Sequence, residues 1–215
     1  MHSQDHKAKL DYVWYACYGS NLAQGRFLCY LQGGQYPGNR KAYKSSRNKA
    51  APTHSEKYML NHPLYFAKEA HIWGGGGVCF ISNEPASGAE TLVRLYRITR
   101  DQFADLHAQE CNKKDPAFID FEKARQQGYW DAYSEKWYGR ILFLGLAQKE
   151  PVFTFNHVGD LAQRNPPAPN YLKSLIDGLR QSHQLSPEKI AEYLVAQDGV
   201  RQKYSLEDLK ELARP

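Results

Sequence analysis

Short runs of apolar and aromatic residues alternate with turn-forming residues along most of the chain. Runs of this kind, rich in aromatic and β-branched side chains, are typical of buried strands. The runs that predict strands are residues 13–18, 64–67, 78–81, 137–146 and 151–155. Residues 92–98 alternate between apolar and polar side chains, which predicts a strand with one exposed face.

Helical patterns lie between these strands and cluster towards the end of the chain. Serine and threonine caps, and a proline at the first helical position, mark several of the helix starts. The predicted helices are residues 22–31, one that begins after Thr99, residues 118–133, and three that begin near Asn170, Ser186 and Ser205. Short mixed strands followed by clustered helices indicate the α+β class.

The length and the cysteine content bound the kind of protein. A chain of 215 residues is long enough for one sizeable core, so we expect a single domain over residues 1–215. Its four cysteines form no C-x-x-C pair, so neither a zinc site nor a disulfide framework is expected. Cys17 lies within the first apolar run, and we interpret it as a core residue rather than a nucleophile.

The apolar runs of the sequence predict a soluble protein. The first residues lack the apolar centre of a signal peptide, and no apolar run approaches the ~20 residues that a membrane helix needs. Because the cysteines show no oxidised framework, we predict a cytoplasmic protein without a membrane partner.

The formal net charge of +5 favours an anionic partner without requiring a nucleic acid. Basic residues concentrate in residues 38–58, which we expect to be a solvated insertion; the alternative is an electropositive lid or docking surface for an anionic ligand. Tyr43 is the single aromatic residue in the middle of this segment, so base stacking and a nucleic-acid partner are not expected. The glycines at residues 74–77 precede a strand, which favours a close backbone approach over a phosphate loop.

The first predicted strand ends in Gly19, Ser20 and Asn21. Glycine and asparagine are the residues that most readily adopt a positive φ, so the chain can turn sharply there. Such a turn can offer N–H and hydroxyl donors to a carboxylate, a phosphate or an oxyanion. The alternative is an ordinary strand-to-helix turn, with Ser20 or Asn21 as the helix cap.

Glu110 extends the apolar face of the helix that follows Thr99. It lies one turn beyond Leu106, on the side that carries Phe103 and His107. A carboxylate in that position needs a partner or a cleft, and either setting suits proton transfer. The alternatives are that Glu110 is solvated at a frayed helix end, and that His107 either orients it or is an unrelated, satisfied histidine.

Three segments occur in an order that resembles the γ-glutamylcyclotransferase-like family. They are Tyr-Gly-Ser-Asn-Leu at residues 18–22, a glycine-rich strand start with a later strand and helix that end at Glu110, and Pro-Ala-Pro-Asn-Tyr at residues 167–171. The resemblance covers roughly residues 12–194. It implies a small mixed β-barrel surrounded by helices, with the pocket at one end.

The resemblance also implies roles for individual residues. Glu110 matches the glutamate that acts as acid and base, and Tyr171 matches a pocket tyrosine whose hydroxyl can bind the substrate carboxylate. Tyr138 matches a second pocket tyrosine, although a long insertion at residues 112–136 precedes it. The turn matches the segment that holds the γ-glutamyl group through backbone amides, and it consists of Tyr18, Gly19, Ser20, Asn21 and Leu22.

The implied reaction is cleavage of a γ-glutamyl amide or γ-glutamylamine by attack of its own α-amine, which releases 5-oxoproline. A carboxylate base, N–H donors for the oxyanion and a folded substrate are sufficient, so no metal or cofactor is expected. The protein is then an enzyme of the acyltransferase or lyase type that acts on a small molecule. The alternative is a catalytically idle relative that binds an anionic metabolite or partner through its pocket or basic loop. Phe153 and Phe155 stand where some relatives have a tyrosine, so that substrate contact does not carry over. The insertions at residues 40–57 and 112–136 do not match compact relatives and are expected to reshape the pocket mouth, so the preferred substrate does not follow from the resemblance.

Overall fold

The computed structural model describes residues 11–37 and 42–214. The strands in these residues are β1 (Tyr12–Cys17), β2 (Gly34–Gln35), β3 (Ala42–Tyr43), β4 (His54–Leu60), β5 (Leu64–Ala67), β6 (Val78–Ile81), β7 (Thr91–Thr99), β8 (Tyr129–Asp131), β9 (Arg140–Ala147) and β10 (Glu150–Asn156). The helices are α1 (Gln24–Gln32), α2 (Arg100–Glu110), α3 (Phe121–Gln127), α4 (Pro169–His183), α5 (Pro187–Ala196) and α6 (Leu206–Leu212). Short 3₁₀ turns occupy Ser20–Leu22, His71–Trp73 and Val200–Gln202. The α+β class is confirmed.

A six-stranded mixed sheet with the order β4-β7-β1-β10-β9-β8 forms the centre of the molecule. Strand β1 lies inside it, antiparallel to β7 and parallel to β10. This central position explains why β1 is almost entirely apolar, since both of its faces are covered. On one face Tyr15 packs against Phe27 of α1 and Phe103 of α2.

The small β-barrel that the family resemblance implies is not found in the described residues. The six-stranded sheet ends in β4 on one side and β8 on the other, and the pairs β2-β3 and β5-β6 form two separate ribbons. A sheet closes into a barrel only when its two edge strands pair with each other. Within residues 11–37 and 42–214 no such pairing occurs.

The prediction of a solvated loop over residues 38–58 is wrong at residues 42–43, which form β3, and at residues 54–58, which belong to β4. Strand β4 pairs with β7 from His54 opposite Arg97 to Leu60 opposite Thr91. Because β4 is an edge strand, most of its side chains point to water, and its charged residues suit that position. Residues 38–41 lie outside the described residues, so the lid interpretation of that part remains a prediction.

The helical prediction over residues 118–133 is also wrong in its second half. Helix α3 ends at Gly128, which has a φ of 89°, and the chain continues as strand β8 paired with β9. A residue with positive φ after the last turn is a common helix stop, and glycine adopts it without strain.

The predicted helix caps are confirmed. Thr99 and Ser205 form capping boxes, and Ser186 accepts a hydrogen bond from Lys189 N–H. The close backbone approach expected at residues 74–77 is confirmed as well. A Cβ on Gly77 would collide with the backbone of Asn165.

Candidate active site

A cavity of about 180 Å³ opens where β1 ends. Seven of the eight predicted site residues line it, namely Tyr18, Gly19, Ser20, Asn21, Glu110, Tyr138 and Tyr171. The eighth, Leu22, is 2% exposed and lies in the core instead. The rest of the wall is mostly aromatic and apolar and is formed by Tyr15, Arg26, Tyr30, Tyr43, Ala70, Ile72, Trp73, Val78, Cys79, Asn112, Trp137 and Phe155.

The Glu110 carboxylate is held in place at the end of α2. Asn21 Nδ2 donates a hydrogen bond to Glu110 Oε1 at 2.9 Å. Burial, and then the nearby Glu110 carboxylate, raise the pKa of Tyr30 well above its ordinary value. Glu110 is half-buried, so it is not the freely solvated residue of a frayed helix end.

Arg26 also lines the cavity and contacts the turn that carries Asn21. Its Nε donates a hydrogen bond to Ser20 Oγ at 2.8 Å, and its guanidinium lies 4.8 Å from the ring centre of Trp73 and 5.3 Å from that of Tyr43. Burial opposes its charge, but the nearby Tyr30, Tyr43 and Glu110 oppose its deprotonation, so the pKa of Arg26 is raised. Arg26 therefore carries a positive charge inside the cavity.

Arg26 is a cavity residue that the sequence pattern did not predict. Its spacing of four residues from Tyr30 places the two side chains on one face of the predicted helix, but this spacing does not say that the face is buried. A helical pattern treats arginine as a residue that faces water, so the pattern gave no reason to place Arg26 inside.

The two predicted pocket tyrosines lie on either side of Cys79. Tyr171 Oη accepts a hydrogen bond from Cys79 N–H at 3.2 Å, and Tyr138 O–H donates one to the Cys79 carbonyl at 2.9 Å. Burial raises the pKa of both tyrosines well above the usual value and raises the pKa of the Cys79 thiol to about 12. All three side chains are therefore protonated at neutral pH.

The turn after β1 does not use the positive φ that its composition suggested. Gly19 has a φ of −115°, and the residues that follow form the 3₁₀ turn Ser20–Leu22. A Cβ at position 19 would lie 3.0 Å from Tyr171 Oη, so any larger residue there requires this hydroxyl to shift by a few tenths of an ångström. Neither Ser20 nor Asn21 caps a helix, because α1 begins after Ala23 without a side-chain cap.

Several backbone N–H groups of this turn lack a hydrogen-bond acceptor among the described residues. In the described part of the chain, no acceptor is found for the N–H groups of Gly19, Ser20 or Asn21. The Tyr18 hydroxyl is used differently, because it donates to the Phe155 carbonyl at 2.6 Å and so fixes the turn to β10. Gly19, Ser20 and Asn21 therefore line the cavity with N–H groups that have no acceptor in the described part of the chain, while the Tyr18 side chain holds the turn to the sheet.

His107 does not orient Glu110. Its Nε2 lies 2.9 Å from the Tyr138 carbonyl oxygen, and the residue is 1% exposed. Burial lowers the pKa of His107 to about 4, so the ring is neutral at pH 7. Cys17 is buried in the core, and burial raises the pKa of its thiol.

Residues 11–37 and 42–214 contain neither a cluster of metal-ligating side chains nor a helix that could span a membrane. In that part of the chain, no three His, Cys, Asp or Glu residues are grouped so that they could hold a metal ion. None of its helices combines the length and the apolar character that crossing a bilayer requires.

No family model matches the sequence. Among curated proteins, Histone deacetylase 5 of Arabidopsis thaliana is 34% identical over 203 residues. That match covers 87% of this chain and 31% of the plant protein, so the chain spans less than a third of the relative's length.

Among solved structures, a γ-glutamyl cyclotransferase matches with a TM-score of 0.50 and 19% identity, over 94% of this chain and 99% of that chain. An uncharacterized human protein gives a TM-score of 0.49 at 17% identity, with the same coverage of both chains. A yeast γ-glutamyl cyclotransferase specific to glutathione gives 0.37 at 11%, over 94% of this chain and 96% of its own. The first match shows that the chain has a γ-glutamyl cyclotransferase-like fold, which confirms the resemblance at the level of the fold.

Proposed function

We propose that the cavity cleaves a γ-glutamyl amide or γ-glutamylamine by intramolecular cyclisation, which yields 5-oxoproline and a free amine. One observation carries this proposal. The Glu110 carboxylate, held at 2.9 Å by Asn21 Nδ2, shares one cavity with Gly19, Ser20 and Asn21, whose backbone N–H groups have no acceptor among the described residues. A base and an oxyanion site within one small cavity are the two elements that this reaction needs.

Glu110 is the proposed proton carrier. The α-amine of the substrate is mostly protonated near neutral pH, so Glu110 first takes one proton from it and frees the lone pair that attacks the γ-carbonyl carbon. A new C–N bond closes the five-membered ring, Glu110 gives its proton to the leaving nitrogen, and the bond to that nitrogen then breaks. Glu110 carries the second surplus proton of the ring nitrogen to the released amine in the same way, so the amine leaves as an ammonium and neither water nor a net proton is consumed.

The turn is the proposed oxyanion site. Negative charge grows on the γ-carbonyl oxygen during the attack, and N–H groups that are already oriented stabilise it without reorganisation. Gly19, Ser20 and Asn21 supply such groups at the cavity wall. The buried hydroxyls of Tyr138 and Tyr171 complete the proposed substrate-binding wall.

A product assay tests the proposal. Wild-type protein and Glu110→Gln are incubated with a panel of γ-glutamyl amino acids and γ-glutamylamines, and 5-oxoproline is measured. Because proton transfer by a placed side chain contributes about 10²- to 10⁴-fold, Glu110→Gln should lose at least about 100-fold in rate.

The matched control is Glu192→Gln on α5, an exposed glutamate paired with Lys189, which should keep the wild-type rate. Equal rates for wild type and Glu110→Gln would contradict the mechanism. Binding of 5-oxoproline without turnover of any substrate would instead support the catalytically idle alternative.

The proposed substrate is a small molecule of the γ-glutamyl class. The Arabidopsis relative is named as a deacetylase, but this chain matches only 31% of that protein. The cytoplasmic location remains a prediction from the sequence.

A further inference from the structure

Arg26 has a buried guanidinium N–H group without a hydrogen-bond partner in the described part of the chain. The residue is 5% exposed, its Nε is bonded to Ser20 Oγ, and its Nη1 is buried without a partner among the described residues. A buried and unpaired guanidinium N–H is costly, because it has lost its hydrogen bonds to water. A group that enters the cavity and accepts a hydrogen bond would remove this cost.

The charges of the cavity wall define what that group is. In the described part of the chain, Arg26 is the one Lys or Arg side chain that lines the cavity, and Glu110 is the one acidic side chain. Arg26 makes no ion pair with Glu110, although Glu110 contributes to its raised pKa. The cavity wall therefore contains one positive and one negative side chain that are not paired with each other, held by the neighbouring residues Ser20 and Asn21.

An α-amino acid has the complementary pattern. Its ammonium and carboxylate groups are attached to the same carbon atom, so a site that holds both needs an acidic and a basic side chain close to each other. The guanidinium is also well suited to a carboxylate, since its planar set of donors matches the two oxygens.

We propose that Arg26 binds the α-carboxylate of the γ-glutamyl group and thereby brings the α-amine to Glu110. This inference rests on the proposed cyclotransfer and specifies which part of the substrate the site recognises. Two side chains of the turn then act as positioning residues: Ser20 accepts a hydrogen bond from Arg26, and Asn21 donates one to Glu110. The substrate carboxylate belongs to Arg26 rather than to Tyr171, because the guanidinium offers a charge and paired donors, whereas the Tyr171 hydroxyl, which accepts Cys79 N–H, has a single proton to donate.

A pair of substrates separates carboxylate recognition from a purely structural role of Arg26. The first is a γ-glutamyl amide, and the second is the 4-aminobutanoyl amide of the same amine, which lacks only the α-carboxylate and cyclises to 2-pyrrolidinone. We expect wild-type kcat/KM to favour the first by about 10- to 100-fold, the range for a hydrogen bond to a charged group. Arg26→Met and Arg26→Lys should lose most of this preference, while their kcat/KM for the second substrate should change little.

Control variants keep the test decisive. Arg140 lies 4.0 Å from the ring centre of Tyr129 and pairs with Asp131 outside the cavity, so Arg140→Met and Arg140→Lys should keep the preference. Arg26→Lys retains a charge and an apolar stem, which guards against a variant that fails to fold. An equal loss of kcat/KM for both substrates in the Arg26 variants would overturn the proposal. A preference for the first substrate that is lost in Tyr171→Phe but kept in Arg26→Lys would also overturn it.

Binding measurements separate this proposal from the proposed reaction. If the wild type cyclises neither substrate, the cyclotransfer fails, and titration calorimetry with 5-oxoproline and 2-pyrrolidinone then decides the carboxylate site. Binding of 5-oxoproline that weakens at least about 10-fold in Arg26→Lys would support the site. Equal binding of 5-oxoproline by wild type and Arg26→Lys would overturn it.

Discussion

Ser20 and Asn21, two neighbouring residues of one turn, each hold a charged side chain of the cavity. The family resemblance implied that this turn acts through its backbone amides, but its side chains also position Arg26 and Glu110. Asn21 is itself fixed, because its carbonyl accepts a hydrogen bond from the Tyr96 hydroxyl at 2.9 Å. A small movement of this turn would therefore shift Arg26, Glu110 and the backbone N–H groups together.

His107 makes the free energy of unfolding sensitive to acid. Burial lowers its pKa to about 4 from a usual value of 6.5, so the folded protein does not bind the proton that the unfolded chain binds below about pH 6.5. Stability is therefore fully present above pH 6.5 and falls as the pH drops towards 4. The shift corresponds to about 3 kcal/mol at most.

Urea unfolding at pH 7 and pH 4.5 checks this expectation. His107→Gln, which keeps a donor for the Tyr138 carbonyl, should lose much of the difference between the two pH values. The matched substitution His71→Gln changes an exposed histidine and should leave the difference unchanged. An unchanged difference in His107→Gln would show that other groups cause the acid sensitivity.

At the scale of elements, the position of the turn depends on α4. Gly178 of α4 faces Leu22, and an added Cβ would lie 2.8 Å from the Ala23 nitrogen and collide with the Leu22 side chain. Leu22 therefore contributes to the site through packing, since it anchors the 3₁₀ turn on α4 without lining the cavity.

Gly178→Ala should lower both stability and activity, although alanine favours helix more than glycine does. The added methyl group pushes the turn away from α4, and overpacking of this kind costs about 1 to 3 kcal/mol. Thermal unfolding and 5-oxoproline release measure the two effects. Gly159→Ala is the control, because no atom lies within 4 Å of its added Cβ. A Gly178→Ala protein with wild-type stability and rate would refute the role given to this contact.

The boundaries of several elements depend on contacts that a local pattern does not contain. Thr99, Ser186 and Ser205 carry their own cap chemistry, so the helix starts could be predicted from the residues alone. Strand β4 has few apolar residues, and its pairing with β7 comes from a partner distant in sequence. Local periodicity contains no information about such a partner, so this edge strand was missed.

At the scale of the whole molecule, the order of motifs along the chain predicted which segments meet. Residues 18–21, Glu110 and Tyr171 come from three distant parts of the sequence and line one cavity. Arg26 could not be predicted in the same way, because its inward orientation depends on the aromatic rings of Tyr43 and Trp73 from other segments. The open sheet in place of the implied barrel likewise depends on pairing between distant strands.

The identity of the product, formed in water enriched in ¹⁸O, tests the central claim most directly. Wild-type protein is incubated with the best γ-glutamyl substrate of the panel, and the products are analysed by mass spectrometry. Cyclisation uses no water, so the account predicts unlabelled 5-oxoproline in an amount equal to the released amine, with loss of both in Glu110→Gln. Release of ¹⁸O-labelled glutamate as the first product would show hydrolysis and contradict the account.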